Sequence, residues 1–200
     1  MAKILQTSTG TSGAITTSLT RYQMIGGCRN NVDATEANTQ ITYRSAGTLS
    51  KFYIRVSANT VSATSTARTR VNGANGSMSV SITASTTGEF EDTSNTDTIS
   101  AGDKVCAQIV TGATGTSLLF RSISTIFDAS SDTVKRLCVS ANGNNFSGNG
   151  TLYGNIIGRF DFVGSEAANL KFKFKQAVTL KNLFIYLSTN AKAATTTVKI

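Results

Sequence analysis

The sequence predicts an all-β protein built from tandem antiparallel β-sandwich domains of the jelly-roll type. Short segments in which polar and apolar residues alternate have the pattern of half-buried strands. The turns between them are rich in glycine and asparagine, and Ser, Thr, Asn and Gly dominate the polar residues. Apolar residues make up 40% of the 200 positions, which is enough for a packed core, whereas charged residues make up only 15%. This composition favours strands and turns, and no segment favours a helix.

An internal repeat indicates how the domains are organised. Residues 37–57 (ANTQITYRSAGTLSKFYIRVS) align without a gap with residues 168–188 (ANLKFKFKQAVTLKNLFIYLS). The offset is too long for a solenoid repeat and suits two related β-domains. We expect the second copy to be incomplete, because its match ends at Ile200, opposite Val71 of the first copy. The predicted organisation is an N-terminal arm (1–20), a first β-sandwich (21–130), a linker (131–151) and a partial second β-sandwich (152–200).

Alternation and turn residues predict the first half of the first sandwich in order. A strand over 39–45 places Ile41 and Tyr43 on one face, and the next strand, over 49–56, is followed by a polar loop at 57–64. A third strand covers 65–71. Asn72-Gly73 then predicts a type I′ hairpin, because both central residues of that turn need positive φ.

The second half of this domain continues with the same signals. Met78, Val80 and Ile82 mark a strand, Thr87-Gly88 turns the chain, and a short strand at 89–92 leads into the polar stretch 93–98. After a turn at Ala101-Gly102-Asp103, two further strands are predicted over 104–111 and 117–127. Counted from Ile41, about eight strands are predicted, which is the number that a jelly roll uses.

The second copy supplies the candidate partner-binding surface. Alternation puts three lysines on one face of a strand and two phenylalanines on the other, and the next strand adds two aliphatic residues. The apolar side of a partial sandwich must be covered by chain beyond Ile200, by the first domain or by a neighbouring subunit. The residues that we expect to contact a partner are Lys171, Lys173, Lys175, Phe172, Phe174, Leu183 and Ile185.

The excess positive charge lies mainly in the second half of the chain. Residues 1–130 hold ten basic against eight acidic residues, whereas 131–200 hold nine against three. The row of lysines at 171, 173 and 175 would space its charges by about 7 Å, close to the phosphate spacing of a DNA strand. The phenylalanines point away from that row and cannot stack on bases. A nucleic-acid partner is therefore not favoured, and an acidic face of a neighbouring protein fits at least as well.

Catalysis, metals and cofactors are not predicted. The chain has no histidine, the commonest general base and metal ligand. Alternation puts Glu89 and Glu91 on one strand face, which indicates a solvated strand edge, and the spacing of Asp92, Asp97 and Asp103 matches no calcium loop. No phosphate-binding glycine loop is present. No stretch reaches the roughly 20 apolar residues of a membrane span, so no membrane contact is expected.

The three cysteines form no zinc or disulfide pattern. Cys106 lies in the apolar run KVCAQIV, which predicts a buried thiol. Cys28 and Cys138 lie near turns or strand ends, and the sequence leaves open whether they are free or paired.

Two strings carry a resemblance to a known class of repeat. Residues 49–60 (LSKFYIRVSANT) and 70–112 (RVNGANGSMSVSITASTTGEFEDTSNTDTISAGDKVCAQIVTG) resemble a β-sandwich repeat of tailed-bacteriophage virion proteins. The likeness covers about 36–127 and again 166–200. The sequence departs from the pattern at Ile82-Thr83-Ala84, where a proline is usual.

The resemblance implies a non-enzymatic structural protein of the virion. Such a protein would be made in the host cytoplasm and act as a homo-oligomer that decorates or cements the capsid, with coat or tail subunits as partners. The alternative is a receptor- or carbohydrate-binding module of a tail or fibre protein, since jelly rolls also host lectins. In that case Tyr53, Tyr153 or Tyr186 would be offered to a sugar.

Overall fold

A computed structural model describes residues 3–10, 13–27, 31–130, 151 and 195–197. Apart from one short 3-10 turn, η1 (Glu36–Asn38), its regular structure consists of strands. The strands are β1 (Lys3–Thr9), β2 (Ile15–Thr16), β3 (Thr20–Gln23), β4 (Ile41–Thr42), β5 (Gly47–Val61), β6 (Ser65–Val71), β7 (Ala74–Ile82), β8 (Gly88–Ile99), β9 (Lys104–Val110) and β10 (Gly115–Ala129).

The strands form two antiparallel sheets. In sheet A the order is β1-β10-β5-β8, with β2 also on β10, and in sheet B it is β3-β9-β6-β7, with β4 also on β9. The pairs β6–β7, β5–β8, β3–β9 and β1–β10 are nested, so the chain resembles one long hairpin wrapped around a core. Two five-stranded sheets, each with four strands in this nested order and one short additional strand, form a jelly roll. The predicted all-β, antiparallel sandwich class is confirmed.

The core lies between the inner faces of the two sheets, where the predicted alternation is largely observed. Phe52, Ile54 and Val56 of β5 are buried, as are Met78, Val80 and Ile82 of β7. Strands β9 and β10 contribute further buried apolar side chains: Val105, Ala107, Ile109, Leu118, Phe120, Ile123 and Phe127.

Several register shifts interrupt the alternation in sheet A, including one in β5 and one in β10. Leu49 and Phe52 are three residues apart and both buried, because the register of β5 shifts at Lys51, which has φ 57°. Phe120 and Ile123 of β10 show the same spacing around a second shift. In each case two consecutive residues face outward, which a regular strand does not allow.

The predicted hairpin between β6 and β7 is confirmed. Asn72 and Gly73 have φ values of 52° and 81°, and Val71 is opposite Ala74. A type I′ turn requires positive φ at both central residues, and glycine takes this conformation without steric cost. The turn predicted at Ala101-Gly102-Asp103 is also present, with Gly102 at φ 100°.

The expectation that residues 1–20 form an arm without regular structure was wrong. Strands β1 and β2 lie in this segment, and β1 pairs with β10 over its whole length, from Lys3 opposite Asp128 to Thr9 opposite Ser122. The inward side chains of β1 include Gln6 and Ser8, which are polar yet buried. Because these positions are not apolar, β1 lacks the alternation that identifies a strand.

Two polar stretches were also misassigned. The loop predicted at 57–64 begins only after Val61, because Asn59 is buried and its amide donates to the carbonyls of Thr83 and Thr86. The stretch 93–98 belongs to β8, which continues to Ile99.

The strand count changes accordingly. Between Ile41 and residue 130, where the structure describes every residue, there are seven strands rather than eight, and the predicted strand at 39–45 is only Ile41–Thr42. The two sheets are therefore completed by β1 to β3, which precede the internal repeat. The predicted linker (131–151) and second sandwich (152–200) lie outside the described residues, apart from 151 and 195–197. None of the described residues forms a helix with the length and hydropathy needed to cross a membrane.

Candidate functional site

The partner-binding residues predicted in the second copy lie outside the described residues. They are Lys171, Phe172, Lys173, Phe174, Lys175, Leu183 and Ile185. Their counterparts in the first copy are described: Tyr43, Phe52 and Ile54, opposite Phe174, Leu183 and Ile185 in the alignment, are all fully buried. In the first copy, therefore, these three repeat positions belong to the core.

Strand β8 is an edge strand of sheet A, and β7 is an edge strand of sheet B. Asp92 and Asp97 of β8 form hydrogen bonds across to β7, and we call this contact between the two edges the β7–β8 seam. The Asp92 carboxylate accepts the backbone N–H of Ser79 on β7 at 2.9 Å, and the N–H groups of Ser94 and Asn95 on its own strand. The Asn95 amide donates to it as well. Burial alone would raise the pKa of Asp92, but these hydrogen bonds outweigh it and hold the pKa at about 2.

Asp97 makes a second connection across the seam. Its carboxylate accepts the N–H of Ser77 at 2.5 Å and the hydroxyl of Thr69. Gly76 leaves room for it, since a Cβ there would lie 2.6 Å from the Asp97 Oδ2 atom. Because β7 is an edge strand, its outward N–H groups have no neighbouring strand to pair with. The carboxylates of Asp92 and Asp97 accept two of these N–H groups instead.

The acidic residues considered for calcium do not converge. Asp103 belongs to the turn before β9, where it accepts the Asn72 amide and the N–H of Ser100. The Asn72 hydrogen bond is the main reason that the pKa of Asp103 is lowered. Within the described part of the chain, no group of three or more His, Cys, Asp or Glu side chains is placed to hold a metal ion.

Cys106 is buried, as predicted, but not in the apolar core. It lies on the outward face of β9, beneath the segment that contains η1, with its Sγ atom 3.8 Å from Glu36 Oε1. Arg70 forms an ion pair with Glu36 at 2.9 Å above it. Burial raises the pKa of the Cys106 thiol to about 12, so the thiol is unreactive at neutral pH. Cys28 and Cys138 lie outside the described residues.

The outward face of sheet A carries the most varied functional groups. Tyr53 and Arg55 project from β5, opposite Glu91 and Glu89 of β8. Glu89 and Glu91 are exposed on the same side of their strand, as the alternation predicted. Tyr53 is half-buried, whereas Tyr43 is almost fully buried and packs edge-on against Phe127 with ring centroids 4.9 Å apart. Tyr53 is thus the tyrosine of this pair that a ligand could reach.

Tyr53 is coupled to its acidic neighbour. Partial burial is the main cause that raises the pKa of Tyr53, and a hydrogen bond with Glu89 adds to it. The tyrosine therefore stays protonated and donates to the Glu89 carboxylate at neutral pH.

A shallow cleft of about 540 Å³ lies beside this tyrosine. It is lined by Arg55, Val56, Ser57, Thr87, Gly88, Arg121 and Ser122. Arg121 was not among the residues singled out from the sequence, and a regular β10 would not place it next to Arg55. The sequence does carry a sign of the bulge, since Phe120 and Ile123 are three residues apart rather than two.

Comparisons with known proteins add little beyond the fold. No protein-family model and no curated protein matches the chain. Among solved structures, the chain is similar to the CBM36-1 domain of a multidomain xylanase from the hindgut metagenome of Trinervitermes trinervoides. The sequence identity is 11% and the TM-score is 0.36, over 66% of this chain and 100% of that domain.

Proposed function

We propose that this chain is a non-enzymatic structural module of a tailed-bacteriophage virion that binds neighbouring coat or tail subunits. The observation that carries the proposal is the resemblance of 49–60 and 70–112 to a virion repeat. Those segments cover most of β5 and all of β7, β8 and β9, and their Asn72-Gly73 and Ala101-Gly102-Asp103 motifs fall on turns with positive-φ glycines. A jelly roll is also a common fold of viral capsid domains.

The described surface supports binding through polar contacts. Leu5, which is 67% exposed, is the one large apolar side chain that is well exposed in the described part of the chain. Hydroxyl and charged side chains cover most of the outward faces. Such a surface is typical of interfaces whose contacts are largely hydrogen bonds and water, multiplied by repetition over an assembly.

Crosslinking mass spectrometry on intact particles tests this proposal. The exposed lysines Lys3, Lys51 and Lys104 should form crosslinks to a coat or tail subunit, and these crosslinks should disappear after the particles are dissociated and diluted. If the chain is missing from purified particles, or if its crosslinks are the same after dissociation, the proposal is wrong.

A second candidate function is a carbohydrate-binding module, and the placement of Tyr53 favours it. A half-exposed aromatic ring flanked by charged hydrogen-bonding groups is the arrangement that sugar rings need for stacking and hydroxyl recognition. A glycan array with the whole chain checks this candidate. Binding should be lost in Tyr53→Ala and retained in Thr98→Ala, an exposed position on the same strand pair. Equal binding by both variants would exclude Tyr53 from any sugar site.

A further inference from the structure

We infer that the cleft between β5, β10 and the start of β8 binds an anionic group, a carboxylate or a phosphate, of an acidic polysaccharide. The sugar part of this inference rests on the carbohydrate-binding candidate above. The anion part rests on two arginines, Arg55 and Arg121, that line the cleft together.

The first step is the placement of the two guanidinium groups. Arg55 is opposite Ser122, and Val56 is opposite Phe120, so Arg121 is the extra residue of the β10 bulge. Both Phe120 and Ile123 face the core, which leaves Arg121 and Ser122 together on the outward side. The bulge therefore places Arg121 beside Arg55 on one surface, and re-aiming a side chain is a common role of bulges near binding sites.

The second step is that no described acidic side chain forms an ion pair with either guanidinium group. Neither guanidinium group makes a hydrogen bond or ion pair with another described residue. Like charges on adjacent strands destabilise a sheet. Glu89 is opposite Arg55 in the register, but the two side chains form no ion pair, and the Glu89 carboxylate accepts a hydrogen bond from the Tyr53 hydroxyl instead. A bound anion would offset the repulsion.

The third step is the chemistry of the lining. The guanidinium fork pairs in a bidentate manner with carboxylate and phosphate oxygens. Hydroxyls of Ser57, Thr87 and Ser122 complete the walls, and Gly88, at φ 123°, has open space where a side chain would lie. The volume is within the range of small-ligand sites. Tyr53 adjoins the cleft on the same face of β5 and offers a ring for stacking.

These features favour a glycan over an acidic peptide. The side chains available in the cleft are arginines and hydroxyl residues, and the Val56 side chain is buried in the core. Sugar hydroxyls can form hydrogen bonds with all of these groups, whereas a peptide segment would find no apolar pocket for its side chains. An acidic peptide is therefore the less favoured ligand, and polyglutamate tests for it.

Calorimetric titration of the whole chain with defined polymers tests the inference. The probes are polygalacturonate for carboxylates, phosphomannan for phosphates, neutral mannan for uncharged sugar and polyglutamate for peptide carboxylates. The test variant is Arg55→Gln with Arg121→Gln. The matched control is Lys51→Gln with Lys104→Gln, which removes the same charge at exposed positions outside the cleft lining. Single Arg→Lys variants at 55 and 121 keep the charge but lose the fork.

The expected result is binding of at least one acidic polysaccharide that weakens tenfold or more in the arginine pair. The control pair should change it by about twofold or less, and each Arg→Lys variant should weaken it measurably. Whether polygalacturonate or phosphomannan binds identifies the source of the anion.

Four results would overturn the inference. They are no binding of either acidic polysaccharide, equal weakening by the control pair, polyglutamate binding with the same dependence on the arginines, and acidic-polymer binding that is unchanged in the arginine pair. If neutral mannan binds and neither acidic polysaccharide shows arginine-dependent binding, the carbohydrate-binding candidate is retained and the anion site is rejected. Absence of binding to all three polysaccharides rejects both.

Discussion

Asp92 shows how a single buried carboxylate can hold two sheets together. It accepts hydrogen bonds from β7 and from its own strand, and no cation is needed to explain its burial. Removing one partner from a buried polar network leaves the others unsatisfied, and this costs more than the hydrogen bond itself contributes.

We predict that Asp92→Asn lowers the free energy of unfolding by about 1 to 3 kcal/mol, because an amide cannot accept all of these N–H groups and its own NH₂ faces donors. Urea denaturation measures the change. Glu91→Gln, at the exposed neighbouring position, is the matched control and should stay within about 0.5 kcal/mol of the wild type. Similar values for the two variants would contradict the structural role of Asp92.

The same residue sets a pH dependence. The pKa of Asp92 is about 2 in the folded chain, below its ordinary value of 3.8, so its contribution is complete above pH 4 and is lost as the pH falls toward 2. Stability of the wild type should therefore decrease through this window more steeply than that of Asp92→Asn. Parallel curves from pH 5 to 2 would show that Asp92 is not the group responsible.

At the scale of single elements, β1 shows that an edge strand can be built on polar contacts. Its buried Gln6 accepts the hydroxyl of Tyr43, and Ser8 donates to the carbonyl of Ile123. The strand thus attaches to the sheet through backbone pairing and side-chain hydrogen bonds more than through apolar burial.

We predict that deletion of residues 1–9 strongly destabilises the fold, because it removes the seven pairs with β10 and uncovers Tyr43. The thermal midpoint should drop by several degrees or more, or cooperative unfolding should be lost. Thr7→Ala, at an exposed position of β1, should change it little. An unchanged midpoint after the deletion is the result expected of a detached arm.

The β6–β7 hairpin is an element whose geometry depends on local residues alone. Gly73 has φ 81°, and nothing lies within 4 Å of the position that a Cβ would occupy. Gly73→Ala should therefore cost only the backbone strain, about 1 kcal/mol in urea denaturation. Ala74→Gly, just beyond the turn, is the control for a change in unfolded-state entropy. A loss above about 3 kcal/mol for Gly73→Ala would indicate a contact that the structure does not contain.

At the scale of the whole molecule, the nested topology brings together residues that are far apart in sequence. The pair Lys3 and Asp128 joins the two ends of the described sandwich. Long-range pairing makes all-β proteins slow to fold, in milliseconds to seconds. The chain contains no proline, however, so cis-trans isomerisation cannot add a slower phase.

We predict that refolding from urea, followed by stopped-flow fluorescence of tyrosine, lacks any phase of tens of seconds that a prolyl isomerase accelerates. The chain can be held unfolded for between seconds and minutes before refolding is started. The amplitudes of the refolding phases should not depend on this delay, whereas in proline-containing proteins a slow phase grows with it. An amplitude that grows with this delay would point to another slow process, such as aggregation or thiol chemistry.

The sequence was sufficient for the features that depend on neighbours along the chain. Alternation of polar and apolar residues predicted strands β6, β7 and β9 and the inward positions of β5. The need for positive φ predicted the turns at Asn72-Gly73 and Ala101-Gly102-Asp103. Both signals act over only a few residues. The shared face of Glu89 and Glu91 was predicted for the same reason. Burial of Cys106 was also predicted, but the segment that covers it contains Glu36, which is distant in sequence.

Only the tertiary structure decided the features that depend on distant partners. Gln6, Asn59, Asp92 and Asp97 are polar, and their inward orientation follows from acceptors and donors many residues away. The cleft beside Tyr53 arises because a register shift between β5 and β10 brings Arg121 to Arg55. Local patterns determine which segments are strands, whereas cross-strand pairing determines which polar side chains meet.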